Sequence, residues 1–252
     1  MAITIKSERE LMAEAGKILE RVHNELEKAL HPGMSTKDID TLGEKIIRSY
    51  GCIPSFLNYN GYPASICVSV NQEVVHGIPD KHRIIHEGDI VSLDAGVIYK
   101  GYHSDAARTH AVGEVSEEAK KLIQVTKECF FEGIKYAKAG NHLFDISGAI
   151  GRYAEERGYG VVRDLCGHGI GTALHEAPEI PNYEVGRKGV KLRPGMTLAI
   201  EPMINIGTYE VDWLDDDWTV VTRDGSLSAH YENTILITEG EPRILSLTCD
   251  NE

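Results

Sequence analysis

The chain has 252 residues, of which 42% are hydrophobic, 7% aromatic and 26% charged, and this composition excludes disordered and collagen-like classes. The formal net charge of −13 argues against bulk electrostatic binding to nucleic acid or to an anionic membrane. A chain of this length folds as one large α/β domain or two small ones, and buries roughly three quarters of its extended surface.

The first predicted element is an amphipathic helix in MAITIKSERELMAEAGKILERVHNELEKAL, where apolar residues recur at helical spacing. Charged residues interrupt this segment every few positions, so we expect neither an export signal nor a membrane span. The cysteines are odd in number and lack C-x-x-C spacing, which predicts reduced thiols and no disulfide. They are Cys52, Cys67, Cys129, Cys166 and Cys249. Together these features predict a cytoplasmic protein.

A β-hairpin is predicted for SLDAGVIYKGYHSDAARTH, residues 92–110, because a β-rich run is followed by turn residues and a second short run. With its loop at residues 99–100, Asp94 pairs with Asp105. With its loop at residues 100–101, Asp105 instead pairs with position 96, which shares a face with Asp94. Both registers bring two carboxylates to one face, although like charges opposite each other destabilise a sheet.

The chain also contains an internal repeat. A helix, a break that contains glycine and a second helix precede each of two strand pairs. An offset of 107 positions relates Gly33 to Gly140 and also Gly88 to Gly195. We therefore predict two pseudo-symmetric α+β halves, roughly 1–114 and 115–252, within a single catalytic domain 1–252.

The repeat places four carboxylates in register. The offset of 107 positions aligns Asp94 with Glu201, and an offset of 127 aligns Asp105 with Glu232. The additional twenty residues lie in INIGTYEVDWLDDDWTVVTRDG. Chance similarity of two amphipathic halves explains the helices but hardly four carboxylates in register. Four carboxylates that converge on one cleft need cations between them.

A fifth candidate ligand is His168, which lies between glycines in LCGHGIGTALHEAP. The spacing there is G-x-G-x-G, which is not the G-x-G-x-x-G of a dinucleotide-binding loop. Structural zinc favours cysteine or several histidines, and calcium favours backbone oxygens in a compact loop. One imidazole and four carboxylates predict two divalent transition ions instead. Such a pair activates a hydroxide at neutral pH and polarises a carbonyl.

Two further histidines are candidate hydrogen-bond donors to a scissile amide and its developing oxyanion. His76 lies in NQEVVHGIP, and His175 follows His168 by seven residues. Taken singly, each is also consistent with a surface or core histidine. The other eight histidines receive no predicted role.

The segments DAG…HSDAARTH, CGHGIGTALHE, PGMTLAIEPM and HYENTILIT, with NGYPASICVSVNQEVVHGIP upstream, resemble methionine aminopeptidases of the bacterial type I over nearly the whole chain. The resemblance implies the α+β pita-bread fold, in which two pseudo-symmetric halves share a central antiparallel sheet. It implies that Asp94 chelates one metal ion and that Asp105 and Glu232 bridge the pair. It assigns His168 and Glu201 to the second ion, with Glu201 also a proton shuttle.

The resemblance further implies a substrate site in which His76 and His175 contact the peptide. Its residues are Tyr59, Tyr62, Cys67, His76, Leu174, His175 and Trp218. Leu174 departs from the family pattern, because many bacterial members have Phe there, so the tightness of the pocket stays open. The implied activity is removal of the initiator methionine before a small second residue, by a metal-bridging hydroxide. The resemblance implies that this activity uses two divalent metal ions per chain, of Mn, Fe, Co or Zn.

Two other interpretations stay open. One is an X-Pro aminopeptidase or prolidase-like dimetal peptidase, which usually carries a large N-terminal domain. The other is a non-enzymatic pita-bread binding module, which usually loses its metal ligands. The expected partners are the N-termini of nascent polypeptides, and docking on the ribosome near its exit tunnel stays open. We expect a monomer that neither reads nucleic acid directly nor binds membranes.

Overall fold

The computed structural model describes residues 7–247, which form helices packed on antiparallel sheets. The helices in this part of the chain are α1 (Glu8–Ala29), α2 (Thr36–Ser49), α3 (Glu117–Ile134) and α4 (Leu143–Glu155). The hydroxyls of Ser7, Ser35 and Ser116 accept hydrogen bonds from backbone N–H groups of the first turns of α1, α2 and α3. These caps satisfy amides that a helix N-terminus leaves unpaired. The predicted unit of a helix, a break and a second helix therefore occurs twice, as α1–α2 and as α3–α4.

The strands between and after these helices are short, apart from one long hairpin. In chain order they are β1 (Ile53–Pro54), β2 (Ile66–Val70), β3 (Glu73–Val75), β4 (Ile90–Tyr99), β5 (Tyr102–Ala111), β6 (Gly160–Val161), β7 (Gly167–Gly169), β8 (Glu176–Ile180), β9 (Thr197–Ile200), β10 (Met203–Asn205), β11 (Val211–Trp213), β12 (Val220–Thr222), β13 (Ser228–His230), β14 (Asn233–Leu236) and β15 (Arg243–Ile244). A short 3-10 helix, Tyr59–Gly61, follows β1.

Within residues 7–247 the strands form four hydrogen-bonded sheets, and their pairings are antiparallel. The first half supplies β1-β4-β2, with β5 paired to β4, and the second half supplies β15-β14-β9-β7-β8. The sheet β13-β10-β6 also belongs to the second half, whereas β11-β12-β3 contains strands of both. The pita-bread architecture is thus confirmed, and its central sheet is divided into these units.

The two halves meet where β5 lies beside the segment that enters β14. Ala107 and Glu232 exchange backbone hydrogen bonds of 3.0 and 3.4 Å across this junction. The Thr234 hydroxyl accepts from the backbone N–H of Asp105 and donates to its carbonyl, at 2.9 Å in each case. The Arg108 guanidinium donates to the Glu232 carbonyl. These bonds fix two candidate ligands beside each other.

The apolar core is divided in the same manner as the sheets. One cluster packs α1 and α2 on the first sheet, with Leu19 and Leu93 fully buried. A second packs α3 and α4 on the other sheets, around Phe130 and Ile146. A third cluster combines residues of both halves and includes Leu174. The proposed domain boundary itself stays a prediction.

Glycines at repeat-related positions adopt the same backbone conformation. Gly33 and Gly140 have φ of +94° and +96°, and Gly88 and Gly195 have φ of +91° and +97°. Side-chain-bearing residues rarely adopt these angles, so glycine is required at each turn. The shared geometry supports the pseudo-symmetry inferred from the sequence.

None of the helices within residues 7–247 combines the length and apolar character that crossing a lipid bilayer requires. Cys52, Cys67, Cys129 and Cys166 are free thiols, as predicted, and Cys249 lies outside the described residues.

Candidate metal centre

The β4–β5 hairpin adopts the second of the two registers considered from the sequence. Tyr99 pairs with Tyr102, so the loop is residues 100–101, and position 96 pairs with Asp105. Lys100 and Gly101 have φ of +50° and +87°, which is typical of the tight turn that matches strand twist. Asp94 and Asp105 therefore lie on one face as diagonal neighbours.

The five candidate ligands come from different strands and converge. Asp94 lies on β4, Asp105 on β5 and His168 on β7, whereas Glu201 directly follows β9 and Glu232 precedes β14. Ligand atoms of Asp105, His168 and Glu232 lie within 4.8 Å of one another. Glu201 Oε1 lies 3.6 Å from His168 Nε2, and Asp94 lines the same cleft. The structure thus brings the whole predicted ligand set together.

Asp94, Asp105 and Glu232 are buried and Glu201 is largely so, and within residues 7–247 no lysine or arginine forms an ion pair with them. Burial, followed by repulsion from neighbouring carboxylates, raises the pKa of Asp94, Glu201 and Glu232 well above the usual range. Burial also raises the pKa of Asp105 to about 7. One oxygen each of Asp94, Asp105 and Glu232 has no hydrogen-bond partner within the described chain. Unpaired buried anions are costly, so this donor set fits bound cations.

His168 is oriented as a metal ligand would be. Its Nδ1–H donates to the Gly169 carbonyl at 2.9 Å, and burial lowers its pKa to about 4, which keeps the ring neutral. The lone pair of Nε2 therefore faces Asp105 Oδ2 at 3.9 Å and Glu201 Oε1 at 3.6 Å. Two acceptors that face each other need a proton or cation between them. A backbone carbonyl that fixes the imidazole tautomer is typical of metal-binding histidines.

The glycines beside His168 let its strand lie between β8 and β9. A Cβ at Gly167 would lie 2.4 Å from the Ala199 carbonyl oxygen, and one at Gly169 would lie 2.3 Å from that of Ala177. Both contacts are with backbone, which cannot move aside without disrupting the sheet. The G-H-G spacing therefore reflects close backbone packing and not a phosphate loop.

All site residues predicted from the sequence line one cleft of about 290 Å³. His175 Nδ1 lies 2.8 Å from the Tyr59 hydroxyl, and its ring centroid is 4.2 Å from that of His168. The Trp218 ring lies edge-on to Tyr62 and His76, with centroids at 5.1 and 6.3 Å. The cleft thus has a polar floor of metal ligands and an aromatic wall. The roles of individual residues remain predictions.

His76 occupies a strained position at one side of this cleft. Its φ is +60°, a left-handed conformation that residues other than glycine adopt infrequently. Burial, with a smaller effect of His175, lowers its pKa to about 4. A neutral ring held in an unfavourable backbone conformation is consistent with a functional constraint.

Sequence reasoning missed several residues of the cleft. Those additional lining residues are Phe56, Asn60, Val75, Asp164, Leu165, Cys166 and Met203. Five of them, Asn60, Val75, Leu165, Cys166 and Met203, lie inside the segments NGYPASICVSVNQEVVHGIP, LCGHGIGTALHEAP and PGMTLAIEPM, so adjacency to the candidate site residues could have indicated them. His230 was also missed, although its Nε2 lies 3.8 Å from Glu201 Oε2. His230 is the first residue of the segment HYENTILIT and lies two positions before Glu232, so adjacency could have indicated it as well.

Comparison with known proteins agrees with this geometry. The model of metallopeptidase family M24 matches residues 10–239. A protein named methionine aminopeptidase from Clostridium acetobutylicum is 58% identical, over 97% of this chain and 99% of its own. A crystal structure of methionine aminopeptidase from Thermotoga maritima superposes with a TM-score of 0.94 at 46% identity, over 98% of this chain and 100% of that chain.

A more distant structural neighbour is an Xaa-Pro dipeptidase from Bacillus anthracis. It is 26% identical, with a TM-score of 0.76, and the match covers 99% of this chain but 63% of that longer one. The fold is therefore shared beyond the methionine aminopeptidases.

The raised pKa of Asp105 predicts how the metal-free protein responds to pH. Its protonated form contributes stability that is fully present below the unfolded-state pKa of about 3.9 and is lost as pH rises through about 7. We expect Asp105→Asn, which cannot ionise, to flatten the fall in unfolding free energy between about pH 4 and pH 7. Urea unfolding of chelator-treated protein across that range measures it.

The exposed Asp215 provides the matched control, and Asp215→Asn should leave the pH dependence as in the unaltered chain. An equally steep fall in the Asp105 variant would show that this carboxyl is not buried as described.

Proposed function

The chain belongs to the methionine aminopeptidases of metallopeptidase family M24, and from this premise we propose that it removes the initiator methionine from nascent proteins when the second residue is small. The observation that carries the proposal is the convergence of five ligand-type side chains beneath an apolar and aromatic pocket. We further propose that it acts in the cytoplasm as a monomer, on the N-termini of polypeptides that emerge from the ribosome.

The donor set is proposed to hold two divalent ions, of Mn, Fe, Co or Zn. The residues that would hold them are Asp94, Asp105, His168, Glu201 and Glu232. When bound, such ions lower the pKa of a water molecule and polarise the scissile carbonyl. The carboxylates at the junction of β5 and β14 suit a bridging position, because the backbone bonds at that junction keep them adjacent.

Proton transfer is proposed to pass through Glu201. Burial, then repulsion from Asp105, raises its pKa, which favours its accepting a proton and releasing it to the leaving amine. Its side chain lies against His168 on one side and His230 on the other. The group is thus held at the floor of the cleft, where the scissile bond would lie.

His175 and His76 are proposed to donate hydrogen bonds to the substrate. His175 Nδ1 lies 2.8 Å from the Tyr59 hydroxyl, and the proposed role assigns the hydroxyl as the donor in this pair, with the proton of the neutral ring on Nε2. Burial lowers the pKa of both histidines, so each is a neutral donor at physiological pH. A positioned neutral donor can stabilise the oxyanion that develops on the carbonyl.

The pocket wall suits a methionine side chain. Its apolar part includes Tyr62, Cys67, Leu174 and Trp218, of which all but Trp218 are buried. The unbranched thioether of methionine fills irregular apolar spaces and makes favourable contacts with aromatic rings. The Tyr62 hydroxyl donates to the Gly77 carbonyl at 2.9 Å, so it does not compete for substrate.

A panel of peptides tests this proposal against the prolidase-like alternative. That alternative is included because the chain is structurally similar to an Xaa-Pro dipeptidase. We expect Met-Ala-X and Met-Gly-X peptides to be cleaved well, Met-Lys-X and Met-Glu-X poorly, and X-Pro peptides not at all. The measurement is kcat/KM, together with elemental analysis of protein purified without added metal. Faster cleavage of X-Pro than of Met-Ala peptides would overturn the proposal.

Removing either proposed donor should separate turnover from metal binding. We expect His76→Ala and His175→Ala to retain metal and to lose about a hundred- to thousandfold in kcat, as is typical for one oxyanion donor. Metal content and kcat are measured on the same preparations. His82→Ala, at an exposed position, is the control. A variant that emerges without metal would show that the histidine is a ligand.

Leu174 should influence selectivity for the first residue. We expect Leu174→Phe to raise the ratio of kcat/KM for Met over Leu peptides, because the larger ring narrows the pocket. The effect should be graded, since one methylene in an apolar pocket discriminates by about 1 to 3 kcal/mol. Leu174→Met, which conserves volume, should leave the ratio unchanged. An unchanged ratio in the Phe variant would show that residue 174 does not contact the substrate.

A further inference from the structure

His230, at the end of β13, is a buried histidine whose ring has no hydrogen-bond partner. Its exposed fraction is 2%, and neither ring nitrogen is bonded within residues 7–247. A neutral imidazole carries one N–H donor and one acceptor, and buried polar atoms are normally satisfied. Two unpaired nitrogens on one buried ring therefore require a physical explanation.

The backbone of His230 is fixed independently of its ring. Its N–H donates to Thr109 Oγ1 at 2.9 Å, and the Thr109 hydroxyl in turn donates to its carbonyl at 2.9 Å. This places the residue between Glu201 and a second cavity. On one side Nε2 lies 3.8 Å from Glu201 Oε2. On the other side the residue lines the second cavity of about 340 Å³, together with Arg108 and His110.

The Glu201 carboxylate needs a hydrogen-bond donor to Oε2, on the side that faces His230. Oε1 lies 3.6 Å from His168 Nε2, in the direction of the candidate metal centre. In the part of the chain that the structure describes, Oε2 has no hydrogen bond, and its contact with His230 is the one ion-pair-range approach it makes. Without a donor to Oε2 the carboxylate could rotate and withdraw Oε1 from the centre.

We propose that His230 is a positioning residue for Glu201, in which Nε2–H donates to Oε2 and thereby holds Oε1 toward the metal centre. The separation of 3.8 Å exceeds a hydrogen bond by about 1 Å, a distance that a small rotation of either side chain closes. Nδ1 is then the acceptor, and the residue borders the second cavity. The inference rests on the proposed function, because it assigns Glu201 to the centre.

The test compares His230→Leu with His230→Gln. We expect the Leu variant to lose about ten- to a hundredfold in kcat and in affinity for Mn²⁺, the usual effect of removing a residue that orients a metal ligand. KM should stay within about twofold, because His230 does not line the substrate cleft. The Gln variant has an amide donor that can reach Oε2, so it should recover most of both losses.

Calorimetric titration of chelator-treated protein with Mn²⁺ gives the affinity, and kcat and KM are measured on Met-Ala peptides. Unaltered kcat and Mn²⁺ affinity in the Leu variant would overturn the inference, as would a Gln variant no better than Leu. His230→Asn, whose amide is one methylene shorter, should resemble Leu. If the Leu variant does not fold, the comparison of Gln with Asn decides.

His110→Gln is the matched control, because His110 lines the same second cavity without contacting Glu201. It should leave kcat and Mn²⁺ affinity unchanged. The Mn²⁺ titration needs no substrate, so it decides the role of His230 even if the unaltered protein cleaves X-Pro peptides and the proposed function fails.

Discussion

Repulsion among four carboxylates in a water-poor cleft is the interaction on which this structure depends. Asp94, Asp105, Glu201 and Glu232 lie together at the centre, and among residues 7–247 no lysine or arginine lines their cleft. The Arg108 guanidinium is directed at the backbone carbonyl of Glu232 and the side-chain amide oxygen of Asn233. The fold therefore holds its anions in place through backbone connections, and leaves the charge to be neutralised by bound cations.

The scaffold around that repulsion has two distinct parts. The pseudo-symmetric halves supply the carboxylates, one pair from each. The pocket wall, by contrast, includes Trp218 from the loop after β11, inside the twenty residues that have no counterpart in the first half. The sheet β11-β12-β3 attaches this addition to the first half through pairing of Val220 with Val75. The carboxylates of the candidate metal centre thus follow from the repeat, whereas part of the pocket wall belongs to an asymmetric addition.

The helices, the paired carboxylates and the ligand set were predictable from the sequence, because local periodicity and the internal repeat report them. The hairpin register was ambiguous, since the choice depends on the left-handed conformation of Lys100. Contacts across the halves were not predictable. The bond between Thr234 and Asp105 spans 129 positions, and no local pattern reports such a distance. No role was predicted for His230, because its approach to Glu201 is visible only in the folded structure.

The hydrogen bonds between the Thr234 hydroxyl and the Asp105 backbone also constrain the order in which the chain folds during its synthesis. A ribosome makes Asp94 and Asp105 early, while His168, Glu201 and Glu232 follow over the next 127 residues. Contacts of such long sequence separation form late in folding, because chain closure must precede them. A growing chain can thus fold its first half before the other candidate ligands exist, but it cannot complete the candidate metal centre until Glu232 has been translated.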